Sequence, residues 1–336
     1  MTVKILCGDA LTVLSGLPDE SVHCVVTSPP YYGLRDYGIS GQIGLEETPD
    51  TYIGALVGVF REARRVLRAD GTLWLNLGDS YAGGTKGSGG PSVKQSSNAG
   101  SRYGARHFNH CAKPKDLMMM PARVALALQA DGWWLRSEII WHKPNPMPES
   151  VTDRPTSAHE KIFLLAKSER YYFDAEAVAE PAIYSGLAGQ DASGFKNAAN
   201  FAGKNAQNAA RGERPDKQRG HGRRHAGFNA KWDAATEAGQ CSGTRNIRNV
   251  WTVATHPYSG AHFATFPPKL IEPCILAGCQ NGGVVLDPFG GAGTTGLVAD
   301  RLGRDAVLIE LNPKYAEMAR RRINDDAGMF PAAGAP

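Results

Sequence analysis

The segment from Val284 to Leu311, VVLDPFGGAGTTGLVADRLGRDAVLIEL, constrains the chain more than any other. It reads as an apolar strand, a glycine-rich turn, a helix and a second apolar strand, the repeating unit of a parallel α/β sheet. Gly290, Gly291 and Gly293 lack a Cβ, so the backbone there can approach a ligand closely and take positive φ. The helix that follows turns its first amides toward the same place. Glu310 stands 23 residues after Asp287, at the end of the second strand, where an acid accepts hydrogen bonds from ribose hydroxyls. No Gly-Lys-Ser/Thr follows the turn, which excludes a Walker A phosphate loop. Asp287 immediately precedes Pro-Phe, and a carboxylate there repels a pyrophosphate and attracts an ammonium. The pattern points to an adenosine-containing cofactor with positive charge and no phosphate, as S-adenosylmethionine has. A purely structural turn is the competing reading.

The remaining chain repeats the α/β alternation, with no internal repeat. Strands are expected at Val22–Thr27, Thr72–Leu77, Leu135–Trp141, Lys161–Ala166, Val284–Asp287 and Ala306–Glu310. Helices are expected over Tyr52–Leu67, ended by Gly71, over Pro121–Gln129, and over Thr294–Leu302. A length of 336 residues corresponds to about two domains. A composition 42% hydrophobic and 21% charged excludes disorder of the chain as a whole. No apolar run approaches the roughly 18 residues of a membrane span. The opening MTVKILCGDALTVL lacks the basic start and apolar core of a secretion signal. Six cysteines form no CxxC pair, so neither a metal site nor a disulfide framework is expected, and the compartment is expected to be reducing. Cys7 and Cys24 are read as core residues.

The net charge of +4 is unevenly spread. Ser80–Ala112 carries four basic residues and no acids; Tyr184–Lys231 carries nine basic and three acidic ones. The rest of the chain is therefore acidic. Both stretches are rich in Gly, Ser, Asn and Ala, which reads as long loops or a loose insertion. They fit a polyanion-facing surface, with Arg102, Arg106, Arg223 and Arg224 as phosphate-contact candidates, and they equally fit solvated loops.

Thr27–Gly33, TSPPYYG, directly follows an apolar strand. Pro29 and Pro30 fix φ, remove two amide donors and leave carbonyls rigidly aimed, and Tyr31 adds an aromatic face. Acceptors beside a stacking face suit a planar group with an amino function, such as a base flipped from a duplex. In isolation such a segment is only a turn. Asp79 fits a site residue and a cap equally well; His159 and Glu160 read as structural hydrogen-bond partners, Trp141 and the Met118–Met120 run as packing.

Together, TSPPYYG and DPFGGAGTT resemble the amino-methylating DNA methyltransferases, in the permuted order of the beta group. GTLWLNLGDSY, WHKPNPMPES, RPTSAHEKIFLLAKS, HFATFPPKLIEPCI and IELNPKYAEMARRR resemble the flanking segments, so the resemblance covers most of the chain. It implies a permuted Rossmann-like α/β fold with a mostly parallel sheet: a catalytic half at 1–174, including the basic loop 80–112, a target-recognition insertion at 175–247, and a cofactor half at 248–330. It implies S-adenosylmethionine as cofactor, held by Asp9, Phe266, Pro267, Asp287, Phe289, Gly291, Gly293, Thr294, Thr295 and Glu310. It implies catalysis by Ser28, Pro29, Pro30 and Tyr31 on double-stranded DNA, the base stacked on Tyr31 for roughly 1–3 kcal/mol. A homodimer and a restriction endonuclease partner are compatible with the group, and a cytoplasmic, bacterial or phage-encoded protein is expected. Ser28 stands where adenine-modifying relatives usually carry Asp, which leans toward cytosine N4. Adenine N6 methylation, an inactive DNA-binding module, and action on RNA or protein glutamine are the alternatives.

Overall fold

Helix α2 (Pro49–Val66) shows how local sequence sets the architecture. Thr48 caps it in a reciprocal box with Thr51, Pro49 opens it, and Tyr52, Leu56, Val59, Phe60, Ala63 and Val66 are buried at helical spacing. That face lies against a sheet of eight strands in the computed structural model, in which residues 1–82, 112–181, 244–255 and 265–329 are described. The chain divides into two compact units, Met1–Val178 with Arg248–Pro336, and Ala179–Ile247.

The larger unit contains β1 (Val3–Cys7), α1 (Ala10–Ser15), β2 (Val22–Thr27), α2, β3 (Leu67–Leu77), α3 (Met120–Ala130), β4 (Trp134–His142) and β5 (His159–Ala166). After the smaller unit follow β8 (Val250–Thr252), α4 (Pro268–Gly278), β9 (Val284–Asp287), α5 (Thr294–Arg301), β10 (Asp305–Glu310) and α6 (Pro313–Met329). The described part of the smaller unit is an antiparallel ribbon of β6 (Glu180–Pro181) and β7 (Thr244–Arg245), with Arg245 paired to Glu180 at 3.2 Å.

The strand order is β1-β10-β9-β2-β3-β5-β4-β8. Strands β1, β10, β9, β2 and β3 run parallel, and β4 and β8 pair in parallel. Only β5 is reversed among the sheet's described strands, antiparallel to both β3 and β4. The chain leaves β2 toward β3 and leaves β9 toward β10, so the order changes direction between these two neighbours. Ligands of open α/β sheets collect outside the carboxyl ends of strands at such a point. Because β5 is reversed, its amino end reaches the same edge.

Several expectations need correction. Gly71 does not stop a helix: α2 ends at Val66, and β3 starts at Leu67 and runs through Gly71. A Cβ at Gly71 would lie 2.5 Å from Leu67 Cγ and 2.9 Å from the His23 carbonyl, so close strand packing is what requires the glycine there. Cys24 is core, but Cys7 is exposed, because β1 is an edge strand. Strands β1 and β8 and helices α1 and α4 are additions to the expected elements, and α6 is the helix that the resemblance places after Glu310; α4 buries Leu270, Ile271, Cys274 and Ile275 at helical spacing although it begins at Pro268 and contains Pro273.

Helix α4 approaches the sheet most closely at Gly278. A Cβ there would lie 2.6 Å from Trp74 Nε1, 2.7 Å from Thr72 Oγ1 and 2.8 Å from Cys24 Sγ. Gly278→Ala is expected to destabilise the protein by about 1–3 kcal/mol through overpacking. Thermal denaturation checks this; an unchanged melting temperature would mean that the helix shifts freely on the sheet.

Candidate active site

Asp287 ends β9 and is 1% exposed. Thr27 Oγ1 and Thr295 Oγ1 each donate to one of its oxygens at 2.6 Å, and Phe289 N donates at 3.0 Å. Burial pushes its carboxyl above the ordinary range, and these three hydrogen bonds pull it partly back. The carboxylate thus clasps three pieces together: the strand leading into Ser28, the glycine turn, and the start of α5.

Past Asp287 the chain makes its glycine turn. Gly291 and Gly293 both have positive φ, and a Cβ on Gly293 would lie 2.8 Å from Ala319 Cβ of α6. The Glu310 carboxylate accepts from Gly291 N and Asn312 N, both at 2.8 Å, and burial raises its pKa, with a smaller contribution from Asp287. Gly8 N donates to the Glu310 carbonyl, and Cys7 is in register with Glu310 on the next strand. Asp9 therefore sits at the same edge, where it caps α1 through Thr12 N at 2.9 Å. Thr294 turns inward to accept from Arg322 at 2.9 Å. Tyr37, from the loop after the Ser-Pro-Pro-Tyr turn, meets Tyr315 edge-on at 6.5 Å, and both phenols feel the Glu310 charge. Phe266 and Pro267 stand at the entry to α4; among the described residues no hydrogen bond or ring contact ties them to this group.

This group presents carboxylates and backbone amides; no basic residue occurs from Val284 to Asp300, and Arg322, which reaches the turn, donates to the Ala292 carbonyl and Thr294 Oγ1. Such a set fits a ligand with a diol and positive charge, and it opposes a pyrophosphate.

Across the switch point, Ser28 leaves the end of β2. The Pro30 carbonyl accepts from Tyr52 Oη at 2.9 Å, and no described donor reaches the Pro29 carbonyl. The Tyr31 ring lies on Gly78, where a Cβ would come within 2.5 Å of Cε2. Its hydroxyl donates to Glu160 Oε2 at 2.6 Å, accepts from Asn76 Nδ2 at 2.9 Å, and lies 3.3 Å from Ser28 Oγ. Lys143 is ion-paired with Glu160 and stands 4.4 Å from the Trp141 ring centroid. Burial and the Glu160 charge hold the Tyr31 phenol well above its usual pKa, so it is a donor at neutral pH.

Three members of this cluster escape sequence reasoning. Glu160 reads as a structural partner in the sequence, yet it lies inside β5, at the end facing the site. Asn76 carries a usable signal: a lone amide in the apolar run LWLNL, 4% exposed in the structure. Lys143 reads in the sequence, with Trp141 and His142, as a DNA-approach candidate rather than as a partner of Glu160. Asp79 is a cap, accepting from Met120 N at 3.0 Å at the start of α3. Trp141, Met118 and Met120 are buried, but Met119 is exposed. Arg102, Arg106, Arg223 and Arg224 lie outside the described residues.

Thr27→Val keeps the volume and removes one hydroxyl from the Asp287 clasp, leaving a buried carboxylate short of a partner. A destabilisation of about 1–3 kcal/mol is expected at neutral pH. The folded Asp287 carboxyl titrates above its unfolded value, so its ionisation opposes folding as pH rises through the folded value. Losing a partner of the ionised form strengthens that opposition. The variant's deficit in chemical denaturation is therefore expected to shrink on acidification, and a deficit that grows would contradict the clasp.

The DNA methylase family model matches residues 22–321. The chain is 45% identical over 320 residues to Type II methyltransferase M.Cfr9I of Citrobacter freundii, covering 95% of this chain and 87% of that protein. It is 44% identical over 323 residues to Type II methyltransferase M.SmaI of Serratia marcescens, covering 95% and 90%. Among solved structures it shares its fold with the PvuII DNA methyltransferase (cytosine-N4-specific), at a TM-score of 0.59 and 19% identity, covering 97% and 93%. It does so too with a putative DNA modification methylase from Thermus thermophilus complexed with S-adenosyl-L-methionine, at 0.56 and 23%, covering 98% of each. With a family match over most of its length, the chain belongs to the DNA methylases of the N4/N6 amino-methyltransferase family.

Proposed function

We propose that this protein transfers a methyl group from S-adenosylmethionine to the N4 amino nitrogen of a cytosine flipped out of double-stranded DNA. The observation that carries the choice of base is Ser28, a neutral hydroxyl at the first position of the motif, set at the switch point across from the glycine turn. The Ser28 Oγ and the Pro29 carbonyl accept the two amino hydrogens, which draws the nitrogen toward tetrahedral geometry and localises its lone pair for attack. Pro30 holds the turn through Tyr52, and Tyr31, backed by Gly78, stacks on the base. When bound, the cofactor supplies an electrophilic methyl on a sulfonium, whose departure needs no acid, so the protein's work is positioning.

The residues present fit that cofactor. Glu310 accepts from the ribose hydroxyls, and Gly291, Gly293 and Phe289 shape the turn beneath it. Asp287 supplies negative potential from below while Thr27, Thr295 and Phe289 hold it, and Thr294 secures the turn through Arg322. Asp9 borders the adenine end, and Phe266 and Pro267 form a wall. The segment 175–247 is the target-recognition region, and the two basic stretches lie along DNA phosphates.

Nucleoside mass spectrometry of DNA methylated by the protein is expected to yield N4-methylcytosine. N6-methyladenine would instead reassign the base. Cofactor affinity, measured without DNA, is expected to fall on acidification through the raised Glu310 pKa, since a protonated carboxyl loses an acceptor. Glu310→Gln is expected to bind more weakly and to flatten that profile. A wild-type profile already flat across the acidic range would remove Glu310 from the ribose site.

A further inference from the structure

Ser28, Tyr31, Asn76, Glu160 and Lys143 form one connected cluster whose hydrogens can be placed from donor and acceptor chemistry. Glu160 and Lys143 are ion-paired, with side chains 16% and 18% exposed. A carboxylate only accepts, so the Tyr31 hydrogen, 2.6 Å from Glu160 by the oxygens, points at the carboxylate. Asn76 Nδ2 is 3.0 Å from that carboxylate oxygen and 2.9 Å from Tyr31 Oη. The reversed amide would set Oδ1 against the carboxylate, so the nitrogen must face this corner. Its two hydrogens serve these nearer acceptors rather than Ser28 Oγ at 3.4 Å. Tyr31 Oη, its own hydrogen committed, can only accept from Ser28 Oγ at 3.3 Å. The Ser28 hydrogen is thereby turned inward and its lone pairs outward.

We propose that Glu160 is a positioning residue that sets the direction of this hydrogen-bond chain, so that Ser28 meets the target amino group as an acceptor. The proposal rests on the reading of Ser28 given above and adds what orients it. It makes Lys143 part of the device. In Glu160→Gln the ammonium of Lys143 attracts the amide oxygen, which leaves the amide nitrogen facing Tyr31. A donor there, beside Asn76 Nδ2 at 3.0 Å, leaves Tyr31 Oη facing two donors, and turning Asn76 over brings no relief, because its amino group would be buried where Oδ1 has no partner among the described residues. The Tyr31 hydrogen therefore turns toward Ser28 and the Ser28 hydrogen outward, against the amino hydrogens of the base. Removing the ammonium as well, in Lys143→Met/Glu160→Gln, lets the amide turn over and present its oxygen to Tyr31 again.

The test is single-turnover transfer of labelled methyl groups to saturating DNA, with cofactor affinity and melting temperature measured on the same proteins. E160Q is expected to transfer roughly tenfold to hundredfold more slowly, the effect of one misdirected hydrogen bond at a reacting group, with cofactor affinity close to wild type and a melting temperature lowered by loss of the Lys143 ion pair but still above the assay temperature. The double variant is expected to regain part of the rate. Three outcomes overturn the proposal: E160Q within threefold of wild type, a rate loss that runs in step with lost cofactor affinity, or a double variant no faster than E160Q. Failure of the underlying reading shows separately, as a wild-type protein that transfers no label or that labels a base other than cytosine.

Discussion

A single buried carboxylate holds the working parts of this enzyme in register. Asp287 joins Thr27 to Thr295, residues from opposite ends of the chain, and it does so at the boundary between β2 and β9. Burying an ionised group costs free energy unless its oxygens are satisfied, and three short hydrogen bonds satisfy them here. The arrangement makes the Ser28–Tyr31 turn and the glycine turn two ends of one rigid bracket. Neither can move without leaving a buried carboxyl short of its hydrogen-bond partners.

Around that bracket the sheet sorts the chemistry by strand. The parallel strands β1, β10 and β9 deliver Asp9, Glu310 and the glycine turn to one side of the switch point. Strands β2 and β3 deliver Ser28, Tyr31, Asn76 and Gly78 to the other. Reversal of β5 adds Glu160 at the same edge, next to Lys143 at the end of β4. The electrostatics divide in the same way: acids held by hydroxyls and backbone amides at the glycine turn, and an acid held by a lysine behind Ser28 and Tyr31.

Much of this is legible in the residues. The glycine turn, its acid 23 positions on, and the Ser-Pro-Pro-Tyr segment carry strong local constraints, since positive φ, missing amide donors and apolar runs leave few alternatives. What is not legible depends on pairing across distance. Gly71 looks like a helix stop until the Leu67 side chain and the His23 carbonyl are seen against it. Glu160 looks like any acid at a strand end until the reversal of β5 places it under Tyr31. Helix α4 has apolar residues at helical spacing, but Pro268 and Pro273 mask it in the sequence until the sheet it covers is seen.

The permuted order also governs how the chain must be assembled. The central neighbours, β2 and β9, are separated by nearly the whole sequence, so their union closes a very long loop, and its entropy must be met before the ladder rewards it. During synthesis the β2 edge stays unpaired until β9 has left the ribosome, an exposed edge of the kind that invites wrong pairing. The same delay means that a truncated product has the Ser28–Tyr31 turn but no bracket beneath it. Such a product lacks the glycine turn and Glu310, so the two halves of the switch point come together only when the sheet is complete.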